Sequence, residues 1–203
     1  INKLDRTGAD FFYDVKSIKD RLTDHGVVMQ LPIGAEENLK GMVDLLTQKA
    51  IIYTDEDMGR HFTYEEIPAD MKEIVEEYRQ KLIEKVAETD DALMEKYLEA
   101  QEISVDELKH AIRKATIQSK LHPIFCGSAL KNKGVQMLLD AICEYLPSPV
   151  DLPEKDAHDV DDETKIIPIK ADDTAKFAAL AFKIASDQFG SLSFFGGYSG
   201  VVQ

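Results

Sequence analysis

Apolar residues recur at near-helical spacing at Phe11, Phe12, Val15, Ile18 and Leu22, which predicts a helix after a short strand end and loop over residues 2–6. Gly26 reads as the stop just past that helix. Apolar, β-branched runs at 27–33, 41–46, 50–54 and 61–64, with Gly34 and Gly59 at turns between them, predict strands. The helical period returns from Pro68 to about Ala87, where Met71, Ile74, Val75, Tyr78, Leu82 and Val86 form one stripe. Acidic residues before and inside its first turn suit the positive end of a helix. Residues 91–100 predict a short second helix. Ser104 with Glu107 three positions on has the form of a capping box and opens a third, with Val105, Leu108, Ile112 and Ala115 inward. Residues 122–129 read as a buried strand ending in a loop. Residues 134–145 read as a helix with Val135, Leu138, Leu139 and Ile142 inward, closed by Pro147 and Pro149. Residues 148–175 are acidic and interrupted by Pro153 and Pro168, the pattern of a linker. Short strands broken by Gly190, Gly196, Gly197 and Gly200 follow from about 176. The order of elements is that of an α/β chain followed by the opening of a β domain.

Composition narrows this picture. The chain has 203 residues, 44% hydrophobic and 31% charged, room for one sizeable domain or two small ones. No apolar run approaches the roughly 20 residues of a membrane-spanning helix, and no leader pattern is visible, so a cytoplasmic protein with no membrane partner is expected. The chain opens on Ile1 rather than Met, as a piece of something longer would. Cys126 and Cys143 are too few for a disulfide framework and read as reduced core residues. His25, His61, His110, His122 and His158 are scattered, with no metal-ligand spacing, and the Tyr and Phe positions read as core. A net charge of −14 argues against generic phosphate-backbone binding and favours a basic protein partner. The charge is uneven: residues 65–107 hold fifteen acids against five Lys or Arg, whereas 108–133 hold six Lys or Arg and no acid.

Two short motifs carry chemistry. Asn2-Lys3-Leu4-Asp5 has the N-K-x-D form of a guanine-reading loop. Guanine presents two adjacent donors, its ring N–H and its exocyclic amine, which one carboxylate accepts together; adenine lacks that pair and would leave the carboxylate unpaired. Asp5 is the candidate acceptor. The Lys3 stem would lie along the base, and Asn2 would tie neighbouring loops together. Read alone, the four residues equally describe a polar surface turn. Gly127-Ser128-Ala129-Leu130-Lys131 follows an apolar strand, and its small residues leave room for a backbone N–H to approach the guanine carbonyl. The two loops together are more specific than either.

These loops sit within longer stretches, NKLDRTGADF (2–11), PIGAEENLKGMVDL (32–45), FTYEEIPADM (62–71), LMEKYL (93–98), CGSALKNKGVQMLLDAICEYLPSP (126–149) and LAFKIASD (180–187). In that order and over nearly the whole chain, they resemble the bacterial elongation factor G family of translational GTPases. The resemblance implies the C-terminal part of a P-loop GTPase domain in 1–25 and 120–147, with an inserted α/β subdomain in 26–119. It also implies an acidic linker over 148–175 and the first strands of a β-barrel domain over 176–203. Asn2, Lys3, Leu4, Asp5, Ser128, Ala129 and Leu130 would contact the guanine of GTP or GDP. The phosphate-binding G-x-x-x-x-G-K-[ST] loop, the switch regions and the D-x-x-G loop are not in this sequence, and the Mg²⁺ ligands of the parent would lie outside it. The chain alone is therefore expected not to hydrolyse GTP. Leu130 stands where the family usually has Phe. Gly196-Gly197 replaces a larger pair in a run one residue shorter than usual, which weakens a strand interior.

The resemblance also implies a ribosomal partner. Glu73, Glu76, Glu77, Gln80 and Glu84 lie opposite the apolar stripe of their helix and would meet the basic C-terminal domain of the ribosomal stalk protein; the same residues equally describe a solvated helix face. The basic stretch after 108 would face ribosomal RNA in the parent, and a monomer is expected. Two other readings stand beside a translocation GTPase: a non-catalytic acidic module docking the stalk, and a paralogous ribosomal GTPase of the release-factor or ribosome-protection type.

Overall fold

The computed structural model describes residues 1–54, 59–188 and 190–202, and the chain divides into two units, Ile1–Leu146 and Pro147–Gln203. In the first unit, α1 (Phe11–Arg21) is followed by β1 (Gly26–Val28), β2 (Gln30–Ile33), β3 (Gly41–Asp44), β4 (Lys49–Tyr53) and β5 (Phe62–Glu65). Three helices come next, α2 (Lys72–Ala87), α3 (Asp91–Leu98) and α4 (Val105–Ile117), then β6 (His122–Ile124) and α5 (Val135–Tyr145). The result is a mixed α/β unit.

β1 pairs in parallel with β6, Gly26 opposite His122 and Val28 opposite Ile124. β2, β3, β4 and β5 form a separate antiparallel sheet in chain order. Everything between β1 and β6 is thus an excursion from the parallel pair. The single strand expected over 27–33 is two strands in two sheets, and Met29 is where they change over. Its N–H donates to the Ile124 carbonyl at 2.9 Å, in the parallel ladder, and its carbonyl accepts from Leu45 N–H at 3.0 Å, in the antiparallel one. Val27, Val28, Met29, Gln30 and Leu31 are all buried, so no alternation of apolar and polar residues marks the change.

Leu31, Met42, Val43 and Leu45, Leu82 and Val86 of α2, and Leu108 and Ile112 of α4 belong to one buried cluster. Each such side chain contributes roughly 1.5–3 kcal/mol by leaving water. The stripe of α2 is graded: Val75, Leu82 and Val86 are buried, whereas Met71, Ile74 and Tyr78 are half-buried. On its flank, Arg79 Nη1 donates to the carbonyls of Leu45 at 2.5 Å and Leu46 at 2.9 Å. At the start of α4, Ser104 Oγ accepts from Glu107 N–H while the Glu107 carboxylate accepts from Ser104 N–H at 3.0 Å, closing the capping box.

Several expectations change. The strand expected over 122–129 ends at Ile124, and a loop carries the rest. Of the α5 positions expected inward, Val135 is half-buried and Leu138, Leu139 and Ile142 are exposed; Ala141 and Tyr145 are the buried ones. Likewise α1 buries Phe11 and leaves Phe12 exposed. Periodicity finds an apolar face but not what lies against it. Cys126 is buried and Cys143 is exposed, so only one thiol is a core residue; burial pushes that thiol up to about 12.

In the second unit, the stretch read as a linker contains the hairpin of β7 (Lys155–His158) and β8 (Ile166–Ile169). Its turn is closed by Asp159 N–H donating to the Lys165 carbonyl at 3.1 Å. Acidity conceals the β-branched run at Ile166, Ile167 and Ile169 that forms the second strand. β9 (Ala178–Asp187) and β10 (Gly190–Ser199) form a longer antiparallel hairpin, whose register shifts between Phe194 and Phe195 and again between Gly197 and Ser199. Gly196-Gly197 lies between the two shifts. Phe182, Phe194 and Phe195 are exposed rather than core. Among the described residues, no helix is long and apolar enough to cross a membrane.

Candidate functional site

The two motif loops meet. Residues 1–4 run beside 125–127: the Ile1 amino group donates to the Phe125 carbonyl at 2.7 Å, Gly127 N–H to Ile1 at 3.1 Å, and Leu4 N–H to Gly127 at 3.2 Å. Asn2 Oδ1 accepts from Ala129 N–H at 2.9 Å and from Lys3 N–H at 2.7 Å, joining the loops. Lys3 is exposed and has φ 68°, a left-handed conformation that L residues adopt only when their surroundings impose it. Leu4 turns its side chain into the core, only 3% exposed. Its side chain anchors the loop to the core cluster.

Asp5 is half-buried beside Ser128. The Ser128 side chain is the largest cause holding the Asp5 carboxyl below its ordinary value, partly opposed by desolvation, with its own backbone N–H, Arg6 and Lys131 adding to the lowering. Asp5 is therefore an anion at neutral pH and accepts only. Its Oδ1 is buried with no hydrogen-bond partner. Ser128 is fully buried, exchanges backbone hydrogen bonds of 2.9 Å with Lys133 in both directions, and accepts from Lys131 N–H at 3.2 Å through Oγ. Gly127 makes this turn possible, because a Cβ there would sit 2.3 Å from the Lys133 carbonyl oxygen. Ala129 and Leu130 are placed on the rim, Leu130 exposed and Ala129 held by its N–H to Asn2. Asp5, Leu130 and Lys131 line a cleft of about 480 Å³ whose other residues include Glu36, Glu37 and Leu39. A larger cleft of about 730 Å³, lined by residues such as Lys85, Glu88, Asp90 and Lys114, contains none of the motif residues.

A carboxylate that only accepts, on the wall of a cleft, can take up a ligand that offers a pair of adjacent donors. The sequence profile of the elongation factor Tu GTP-binding domain matches residues 1–148. The chain belongs to this family of translational GTPases. A crystal structure of a protein from Thermus thermophilus is similar to 98% of this chain at a TM-score of 0.73 and 26% sequence identity. The chain spans 26% of that protein's length. Guanine-nucleotide binding is the chemistry of the elongation factor Tu GTP-binding domain family.

The five α2 residues Glu73, Glu76, Glu77, Gln80 and Glu84 lie along the outer side of the helix, and all five are exposed. Gln80 Nε2 donates to Glu76 Oε1 at 2.8 Å and Lys81 pairs with Glu77 at 2.5 Å, so the face is acidic but partly self-paired. These residues form a surface of their own, separate from the two loops.

The residues that brace the loops carry little mark in the sequence. Glu36 N–H donates to the Leu4 carbonyl at 2.9 Å and Glu36 Oε1 accepts from Gly8 N–H at 2.7 Å. The buried Lys133 donates from Nζ to the Leu39 carbonyl at 2.6 Å. Asn132 and Gln136 both donate to the Gly59 carbonyl, at 3.1 and 3.0 Å. One signal was available, the lysine inside K-N-K-G directly before a helix; a contact spanning 28 residues, from Gly8 to Glu36, leaves none.

Proposed function

We propose that this chain is a segment of elongation factor G, the GTPase that drives translocation on the ribosome, and that it carries the guanine-reading half of the nucleotide site. The observation that supports this reading is the meeting of the Asp5 loop and the Ser128 loop, joined by Asn2, with the Asp5 carboxylate lining a cleft. Guanine's ring N–H and amine would meet the Asp5 carboxylate, and the exposed Lys3 stem and the 128–130 turn would flank the base. The phosphates and Mg²⁺ would be held by residues of the longer parent, so the chain alone binds the base weakly and does not hydrolyse GTP. The parent acts in the cytoplasm as a monomer on the ribosome.

The test is an amide NMR titration of the labelled chain with GDP at millimolar concentration, with ADP as control. Shifts confined to residues 2–5 and 128–131, with GDP only, are expected. Equal shifts with ADP, or none with GDP, overturn the guanine reading, and measurable GTP turnover by the purified chain overturns the claim of inactivity.

A second surface supports a docking function. The acidic outer face of α2, on a chain of net charge −14, favours a basic partner such as the stalk protein's C-terminal domain. Shift mapping of that domain onto Glu73, Glu77 and Glu84 tests it, and perturbations that avoid α2 refute it.

A further inference from the structure

The excursion between β1 and β6 reaches back to the motif loops through one short turn. Residues Glu36–Asn38 form a single 3-10 turn at its start, just after β2. Glu36 there has φ 54°, a left-handed conformation that a side chain tolerates only when its neighbours fix it. What fixes it is the first motif loop. Its backbone N–H bonds the residue immediately before Asp5, and its carboxylate bonds Gly8, three residues after Asp5. One side chain and its own backbone thus staple the loop on both sides of the carboxylate that faces the base.

The second motif loop is held to the same turn. Lys133, which closes the backbone bridge with Ser128, donates to the carbonyl of Leu39, the residue that ends the turn. Leu39 is itself buried. The three segments form a closed triangle: the Asp5 loop, the Ser128 loop and the 36–39 turn, each hydrogen-bonded to the other two.

We propose that Glu36 is a positioning residue for guanine recognition, fixing the direction of the Asp5 carboxylate through the Leu4 and Gly8 bonds. This rests on the guanine reading above. An acceptor for two donors must be held within a narrow angular range, because a hydrogen bond weakens steeply as it bends. Within the Asp5 loop Arg6 N–H donates to the Lys3 carbonyl and Ala9 N–H to that of Arg6, both at 3.1 Å, bonds that close its turns but are not a restraint from a neighbouring element. The Glu36 staple supplies it from outside the motif.

The test compares the full chain with Glu36→Ala and Glu36→Gln, titrating each with GDP and ADP and measuring amide hydrogen exchange. Alanine keeps the backbone bond to Leu4 but removes the acceptor for Gly8. Glutamine keeps a neutral acceptor. Expected for Glu36→Ala are faster exchange at Gly8 and GDP binding weaker by roughly fivefold to tenfold, the net scale of one ordinary hydrogen bond. Glu36→Gln is expected to recover most of both, with the thermal midpoint unchanged across the three proteins. GDP binding by Glu36→Ala equal to that of the unsubstituted chain overturns the proposal while leaving the guanine reading intact. So does weakening by Glu36→Gln as large as that by Glu36→Ala. Absence of any GDP-specific shift in the unsubstituted chain overturns the guanine reading and the proposal with it.

Discussion

A buried polar atom left without a partner costs about 1–3 kcal/mol, and Asp5 keeps one such atom. Asp5→Asn would replace an acceptor oxygen with a donor NH₂ that repels guanine's own donors. GDP-dependent amide shifts are expected to vanish in that variant with the thermal midpoint unchanged or raised, as checked by titration and melting. Ser128→Ala removes the main cause of the lowered Asp5 carboxyl, so the carboxyl-carbon titration of Asp5 should move up toward the ordinary carboxylate range. That the Asn2–Asp5 loop and the Ser128 loop lie together was legible from residue type and spacing, because the two motifs read as one set. The direction of Leu4 was not. N-K-x-D states no preference at its third position, and only the core behind the loop decides that an apolar residue there turns inward. Glu36 was invisible for a different reason: its partners are remote in sequence, and an acidic residue in a surface turn carries no mark of what it braces.

Elements follow the same division between local and remote causes. The capping box at the start of α4 involves residues three apart and could be read directly. Ser104→Ala should cost about 1 kcal/mol of stability, seen as a lowered thermal midpoint. The Glu107 carboxyl is held at about 2, chiefly by Lys96 and then by the Ser104 backbone and hydroxyl. A carboxyl depressed in the folded state stabilises fully above its ordinary value of 4.5 and loses that contribution as pH falls toward about 2. Midpoints measured from about pH 6 down to about pH 2 should therefore fall in the parent, and fall less steeply in Glu107→Gln over the window between 4.5 and about 2. In the core, Leu82 is 1% exposed, and Leu82→Ala should cost about 2–5 kcal/mol in a denaturant titration. The exposed face of α5 and the change of sheet at Met29 could not be read, because periodicity reports that a face is apolar, or that a run is buried twice over, without naming the neighbour.

At the scale of the molecule, net charge is the property that acts at a distance. With −14 distributed over the chain, association with a basic partner should slow by about tenfold between about 50 and about 500 mM salt as the ions screen the approach. Charge reversal at Glu73 and Glu84 should flatten that dependence in a stopped-flow measurement. The fold class was readable from the order of elements, whereas the hairpin of β7 and β8 lay hidden in a stretch whose acidity resembles that of a linker.

The parallel pairing of β1 with β6 also sets how the excursion can move. Its two roots are hydrogen-bonded neighbours, Gly26 beside His122, and at one root Met29 lends its N–H to one sheet and its carbonyl to the other. Both roots of the excursion are therefore tied into one ladder, and the chain that leaves β6 passes through residues 125–127 into the turn that holds Ser128.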